Sequence, residues 1–303
     1  MSRSPFAVGV RRSDAGGRGL REDEGMSRYL VVPQWQGSPS SRAMQLIDGA
    51  QAIAGDLPRS ATTVLDVPME AGESLGSGIH RLSALQRVHG LVADALDAHH
   101  AAAPDEPVLT IGGDCGIALA PVAHAAQRAP GLAVVWIDAH PDLNSPASSP
   151  SGAFAGMVLR AVIGDGDPGL SLPSGTVAAE RVVVAGARSF DDPELDVVTD
   201  RGIVALTVEA LRDAEALADA VQATGADAVY IHVDIDALDP AEISGNAHPE
   251  PFGVTVAELT AAVSALRARV PLVGASLAGY SPASVSAATD DLGAILRVIS
   301  VLA

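Results

Sequence analysis

Two strand-like apolar runs, each ending directly in a cluster of aspartates, constrain this chain more than any other feature. The first reads Val134-Val135-Trp136-Ile137-Asp138-Ala139-His140-Pro141-Asp142. The second reads Val229-Tyr230-Ile231-His232-Val233-Asp234-Ile235-Asp236-Ala237-Leu238-Asp239-Pro240. β-Branched residues favour a pleated, buried setting, and a carboxylate at the end of a buried strand is costly unless something positive meets it. Alternation places Asp234 and Asp236 on one face, with His232 behind them. In an open α/β sheet, ligands bind at the carboxyl ends of the strands. Several carboxylates and an imidazole converging there repel one another unless cations neutralise them. Hard oxygen ligands with one imidazole suit Mn²⁺ better than a structural zinc. The pattern predicts a two-metal site.

Around these runs, short strand-like segments alternate with Ala-rich helical stretches. Strands are expected over 29–32, 62–66, 108–111, 133–138, 181–185, 204–206, 228–236 and 272–277. Helices are expected over 41–53, 77–98, 117–126, 154–162, 208–223, 254–268 and 290–301. Such alternation predicts a parallel sheet covered on both faces. The spacing is even, with no linker long enough to divide the chain, so residues 26–303 read as one α/β domain. Residues 1–25 carry Arg, Gly, Ser and Asp without an apolar stretch. They read as a disordered extension rather than a secretory signal. The segment 141–152, rich in Ser and Pro, follows the first aspartate cluster, where substrate contacts commonly reside.

Composition narrows the partners. A formal charge of −18 argues against nucleic acid or an anionic membrane surface. The single cysteine, Cys115, excludes an internal disulfide framework and accords with a reducing cytoplasm. No run approaches the length of a membrane span. A hydrophobic content of 48% with only 3% aromatic implies a core built from Ala, Val, Leu and Ile. The expected ligand is a small molecule.

Upstream of the first cluster, Leu109-Thr110-Ile111-Gly112-Gly113-Asp114-Cys115-Gly116 is a strand entering a glycine turn. In that order and spacing, Gly-Gly-Asp-Cys, Asp-Ala-His-Pro-Asp and Asp-Ile-Asp-Ala-Leu-Asp-Pro resemble the motifs of the arginase/agmatinase/formimidoylglutamase family, the ureohydrolases. The resemblance spans roughly residues 30–300. It implies a three-layer α/β/α fold with a central, mostly parallel eight-stranded sheet. It also implies a binuclear Mn²⁺ site and a homo-oligomer, commonly a trimer or hexamer. Carried over by position, Asp138 and Asp234 match bridging carboxylates, while His140 and Asp236 match ligands of one metal. Asp142 matches a ligand of the other metal and the acid that passes a proton to the leaving amine.

The chain departs from that pattern at three places. Cys115 stands where the family has a metal-ligating histidine. A thiolate there shifts preference toward Zn²⁺, Co²⁺ or Fe²⁺, whereas a thiol packed as a small apolar group leaves the second metal weak or absent. His232 faces the same side as Asp234 and reads either as a compensating ligand or as a histidine hydrogen-bonded inside the sheet. In Ser151-Gly152-Ala153-Phe154-Ala155-Gly156, Ala153 replaces an asparagine contact to an α-amino-acid carboxylate, and Ala155 replaces a histidine proton shuttle. Gly279 stands where the family has a glutamate that pairs with a guanidinium. His248 and Glu250, in the loop after the last aspartate cluster, read as substrate contacts or plain surface. The expected activity is hydrolysis of a linear C–N bond in a guanidino, amidino or formimino compound other than arginine. The alternative is a pseudoenzyme that keeps the fold and one cation.

Overall fold

The computed structural model describes residues 28–303, so the expected N-terminal extension lies outside the described residues. One eight-stranded sheet runs through them: β1 (Arg28–Val32), β2 (Thr62–Val64), β3 (Val108–Gly112), β4 (Leu132–Ile137), β5 (Val182–Ala185), β6 (Val204–Leu206), β7 (Ala228–Asp234) and β8 (Leu272–Ala278). The spatial order is β2-β1-β3-β8-β7-β4-β5-β6, and every pairing is parallel. The central strands β4 and β7 are buried along their whole length, which explains their unbroken apolar runs. The edges β2 and β6 have three residues each, short enough to offer little to a foreign strand.

Helices cover both faces. On one lie α2 (Leu82–Ala102), α3 (Leu119–Arg128), α4 (Val158–Val162) and α5 (Asp192–Arg201). They pack on the even-numbered residues of the central strands, among them Val134, Trp136 and Tyr230. On the other lie α1 (Gln45–Asp56), α6 (Val208–Leu211), α7 (Ala216–Ala223), α8 (Val256–Arg269) and α9 (Val285–Leu302), against Val135, Ile137, Ile231 and Val233. The two apolar layers meet only through the sheet, which gives the α/β/α sandwich.

The expected strands all form, but β7 ends at Asp234 and residues Ile235–Ala237 make a 3-10 turn, so a turn and not strand alternation presents Asp236. Among the helices, residues 208–223 divide into α6 and α7, and α9 starts at Val285, earlier than expected, because Ser284 Oγ accepts from Ala287 N and caps it. Helix α5 was not expected at all. Its start carries a capping box in which Glu194 Oε2 accepts from the backbone N–H of Asp191.

Chain order places the site. From β4 the chain proceeds outward to β5 and β6, whereas from β7 it proceeds the opposite way to β8. The crevice beyond the carboxyl ends of β4 and β7 is therefore a topological switch point, where open α/β sheets bind ligands.

Candidate metal centre

The last residues of β4 and β7 deliver their aspartates into that crevice. Asp138 directly follows β4 and Asp234 closes β7, and each carboxylate is steadied by the turn it begins. Asp138 Oδ1 accepts from His140 N at 2.7 Å, and Asp234 Oδ1 accepts from Asp236 N at 2.9 Å. Asp236 Oδ1 reaches across to accept from Ala139 N at 3.0 Å, which fixes the two turns relative to each other. Asp142 holds a positive φ of 51°, a conformation that aspartate tolerates better than most residues but at some cost. That backbone turns its carboxyl group inward, where it is buried with Oδ2 lacking a hydrogen-bond partner among the described residues.

The cavity has a volume of about 210 Å³. Asp138, His140, Asp142, Asp234, Asp236 and Cys115 all line it, as do Ala155, His248 and Gly279. Ser149, Pro150 and Ser151 of the polar loop form part of its wall. Glu250 approaches the site through His140, with Oε1 3.9 Å from Nε2. Ala153, by contrast, is buried and outside the lining, so its side chain makes no substrate surface here. His232 is wholly buried and outside the lining.

Two groups of side chains offer ligand atoms that all lie within 4.8 Å of one another: Asp138, His140 and Asp236, and Cys115, Asp138, His232 and Asp234. Asp138 belongs to both. Asp142 lines the same cavity but falls outside both groups.

The electrostatics of the protein's own groups show what charge the site favours. Burial, aided by the neighbouring Asp236 charge, pushes Asp234 up to about 7. Burial and the charge of Asp138 push Asp236 up to about 6. Burial raises Asp138, and burial together with Asp138 carries Asp142 well above the carboxylate range. For His140 burial opposes the charged ring, but its contacts with Asp138 and Asp236 outweigh that and push it up to about 12; its Nδ1 lies 2.9 Å from Asp236 Oδ2. Without cations, these groups offset their mutual repulsion by holding protons. A divalent cation is the natural replacement for those protons.

The thiol and the buried imidazole fit a cation as well. Cys115 Sγ donates to Asp234 Oδ2 at 3.0 Å. Burial, with Asp234, Asp142 and Asp138 adding to it, keeps this group a thiol in the metal-free protein. His232 Nε2 is buried with no partner among the described residues, and such an orphan ordinarily costs about 1–3 kcal/mol. The donor chemistry therefore fits divalent metal at both groups.

Three supporting residues were not singled out by the sequence. Asp114, inside the Gly-Gly-Asp-Cys motif, accepts from Gln34 Nε2, Gly37 N and Gly116 N at 2.8–2.9 Å, and so pins the turn that carries Cys115. Arg188, just past β5, donates to the carbonyls of Asp236 at 2.8 Å and Glu250 at 2.7 Å, and holds the loop after β7 in place. Glu194 Oε1 accepts from Leu143 N at 2.9 Å, beside Asp142. Only Glu194 had a readable cue, as the fourth residue of Asp191-Asp192-Pro193-Glu194.

Fold and site together define a three-layer α/β/α protein with a carboxylate-rich crevice, able to hold metal, at the switch point of its sheet. The arginase family model matches residues 15–300. Arginase from Bacillus caldovelox is 32% identical over 233 residues, covering 72% of this chain and 76% of that protein. This chain belongs to the arginase family. Arginase from Entamoeba histolytica, solved in complex with L-ornithine, superposes with a TM-score of 0.78 at 23% identity, covering 91% of this chain and 99% of that one. Formimidoylglutamase from Bacillus subtilis superposes with a TM-score of 0.67 at 17% identity, covering 96% and 95%. At these identities the structural likeness speaks for the fold, which family members with different substrates share.

Proposed function

We propose that the chain is a metal-dependent hydrolase of a linear C–N bond in a guanidino, amidino or formimino compound other than arginine. The observation that carries this reading is the convergence of Asp138, His140, Asp142, Asp234 and Asp236 in one cavity. Asp138, His140 and Asp236 form an oxygen-rich group that suits Mn²⁺; a second ion belongs with Asp138 and Asp234. Bound cations would supply Lewis acidity, neutralising the carboxylates and lowering the pKa of nearby water. Asp142, with Oδ2 unpartnered, is the group placed to take a proton and return it to the departing nitrogen. His248 and the serines of the polar loop line the approach and orient the rest of the substrate.

Arginine itself is disfavoured for two reasons. Gly279 leaves no carboxylate where the family resemblance puts the partner of a guanidinium. Among the described residues no Lys or Arg lines the cavity, so an α-carboxylate finds no cation there. Ala155 also lines the cavity and supplies no proton shuttle, which suits a leaving group needing little help. Assembly as a cytoplasmic trimer or hexamer belongs to the same reading.

The test is a panel of guanidino, amidino and formimino compounds incubated with the metal-loaded protein, monitoring urea, ammonia and formamide. Turnover of at least one compound other than arginine is expected, with a faster rate in Ala155→His. Release of none of these products by either protein overturns the assignment and leaves a non-catalytic binding role.

A further inference from the structure

The group formed by Cys115, Asp138, His232 and Asp234 differs in chemistry from its neighbour. Its donors come from four places: the turn after β3, the end of β4, the interior of β7 and the end of β7. His232 is the informative member. Its ring stacks on Trp136 of β4, centroid to centroid at 3.8 Å, and Nδ1 lies 2.7 Å from Ser276 Oγ of β8. Trp136, His232 and Ser276 are in register across three adjacent strands, and the stack and the Ser276 contact hold the ring between them. The nitrogen left over, Nε2, is buried and has no partner among the described residues. It belongs to a residue whose ligand atom lies within 4.8 Å of a thiol and two carboxylates. An imidazole with one nitrogen held by an oxygen and the other unpartnered, in a residue that belongs to such a cluster, has a nitrogen available to a metal.

We propose that Cys115 Sγ, His232 Nε2 and the carboxylates of Asp138 and Asp234 form a mixed sulfur, nitrogen and oxygen site that takes Zn²⁺ in preference to Mn²⁺. Nδ1–H donates to Ser276 Oγ, which leaves the lone pair on Nε2 for the ion. Thiolate and imidazole are borderline-soft ligands that favour zinc, whereas the Asp138–His140–Asp236 group next to it is rich in hard oxygen. The chain thus holds two unlike sites joined through Asp138, one for a softer ion and one for a harder ion. The proposal rests on the metal centre of the proposed hydrolase, yet its readouts are independent of turnover.

The experiment uses the full chain stripped of metal. Titrated with Co²⁺, it is expected to show a thiolate-to-cobalt charge-transfer band in the near ultraviolet, absent in Cys115→Ser. In competition with equal Zn²⁺ and Mn²⁺, one zinc per chain is retained. Ser276→Ala, a small change that removes only the hydroxyl, should weaken zinc binding about 10–100-fold by freeing the imidazole. His232→Gln should lose tight zinc binding, and if it does not fold, the wild-type cobalt spectrum and Ser276→Ala decide alone. A cobalt spectrum without a sulfur band overturns the proposal, as does zinc affinity unchanged in Ser276→Ala. A protein that binds zinc through sulfur but hydrolyses nothing sinks the hydrolase assignment and leaves this site standing.

Discussion

Gly279 shows how one residue can shape a site by having no side chain. Its φ of +85° already disfavours other residues, and a Cβ there would sit 2.1 Å from Asp234 Oδ1. A glutamate at this position is therefore incompatible with Asp234 where it stands, so the departure at 279 and the placement of Asp234 are one structural fact. Gly279→Ala is expected to displace Asp234, destabilise the fold by about 1–3 kcal/mol and lower metal retention. Urea denaturation and metal analysis check this; unchanged metal content would refute it. Asp142 is the second residue to probe. Asn keeps its size and tolerates φ of 51°, so Asp142→Asn should fold normally while kcat drops about 10²–10⁴-fold on whichever compound proves to be the substrate. A variant with wild-type kcat would remove Asp142 from proton transfer.

Among the elements, α5 does most to hold the loop beside the site. Its Glu194 joins the helix N-terminus to Leu143 N, while Asp191 Oδ2 accepts from Asn144 Nδ2 at 2.8 Å. The stretch after Asp142 is thus fastened to a helix that the sequence hardly announces. The segment has a weak apolar face, with only Leu195, Val197 and Val198 among charged residues, although its Asp-x-Pro-Glu start is a fair cap signal. Glu194→Ala removes the cap bond and leaves Leu143 N buried without a partner. The expected loss is about 2 kcal/mol, read as a lower urea midpoint at unchanged m-value. A midpoint equal to wild type would show that the helix is held by packing alone. The split of residues 208–223 into α6 and α7 was hidden because Arg212–Glu215 continue a helix-compatible composition.

For the whole molecule, charge at the crevice sets the response to pH. Asp234 and Asp236 carry pKa values raised to about 7 and about 6, against roughly 3.9 in an unfolded chain. Between those limits the native state holds protons that the unfolded state has released, so stability falls as pH rises from about 4 through 7. His140, raised to about 12, acts in the same direction above roughly 6.5. The melting temperature of the metal-free protein should therefore decline steadily from pH 5 to pH 8. Adding Zn²⁺ or Mn²⁺ at 100 times its dissociation constant should add about 2.7 kcal/mol and flatten the slope, since metal affinity rises as protons leave. A metal-free melting temperature that climbs over this range would contradict the account. Among the described residues no helix is long and apolar enough to cross a membrane.

Local signals in the sequence determined the strand and helix alternation, because burial on two faces demands the apolar runs of β4 and β7 and each run is legible by itself. They also determined which aspartates end those strands, since each directly follows a buried apolar run. Tertiary structure alone decided the rest. Strand order brought β4 beside β7 across a long sequence interval, and so made Asp138 common to two ligand groups. Cross-strand register set Trp136, His232 and Ser276 in one row, which turned an ambiguous buried histidine into one with a nitrogen unpartnered among the described residues, in a group of candidate metal ligands. Asp114, Arg188 and Glu194 act by bonding to backbone groups of distant loops. A one-dimensional pattern carries no trace of such contacts, because what selects those residues is the distance between loops in the folded chain.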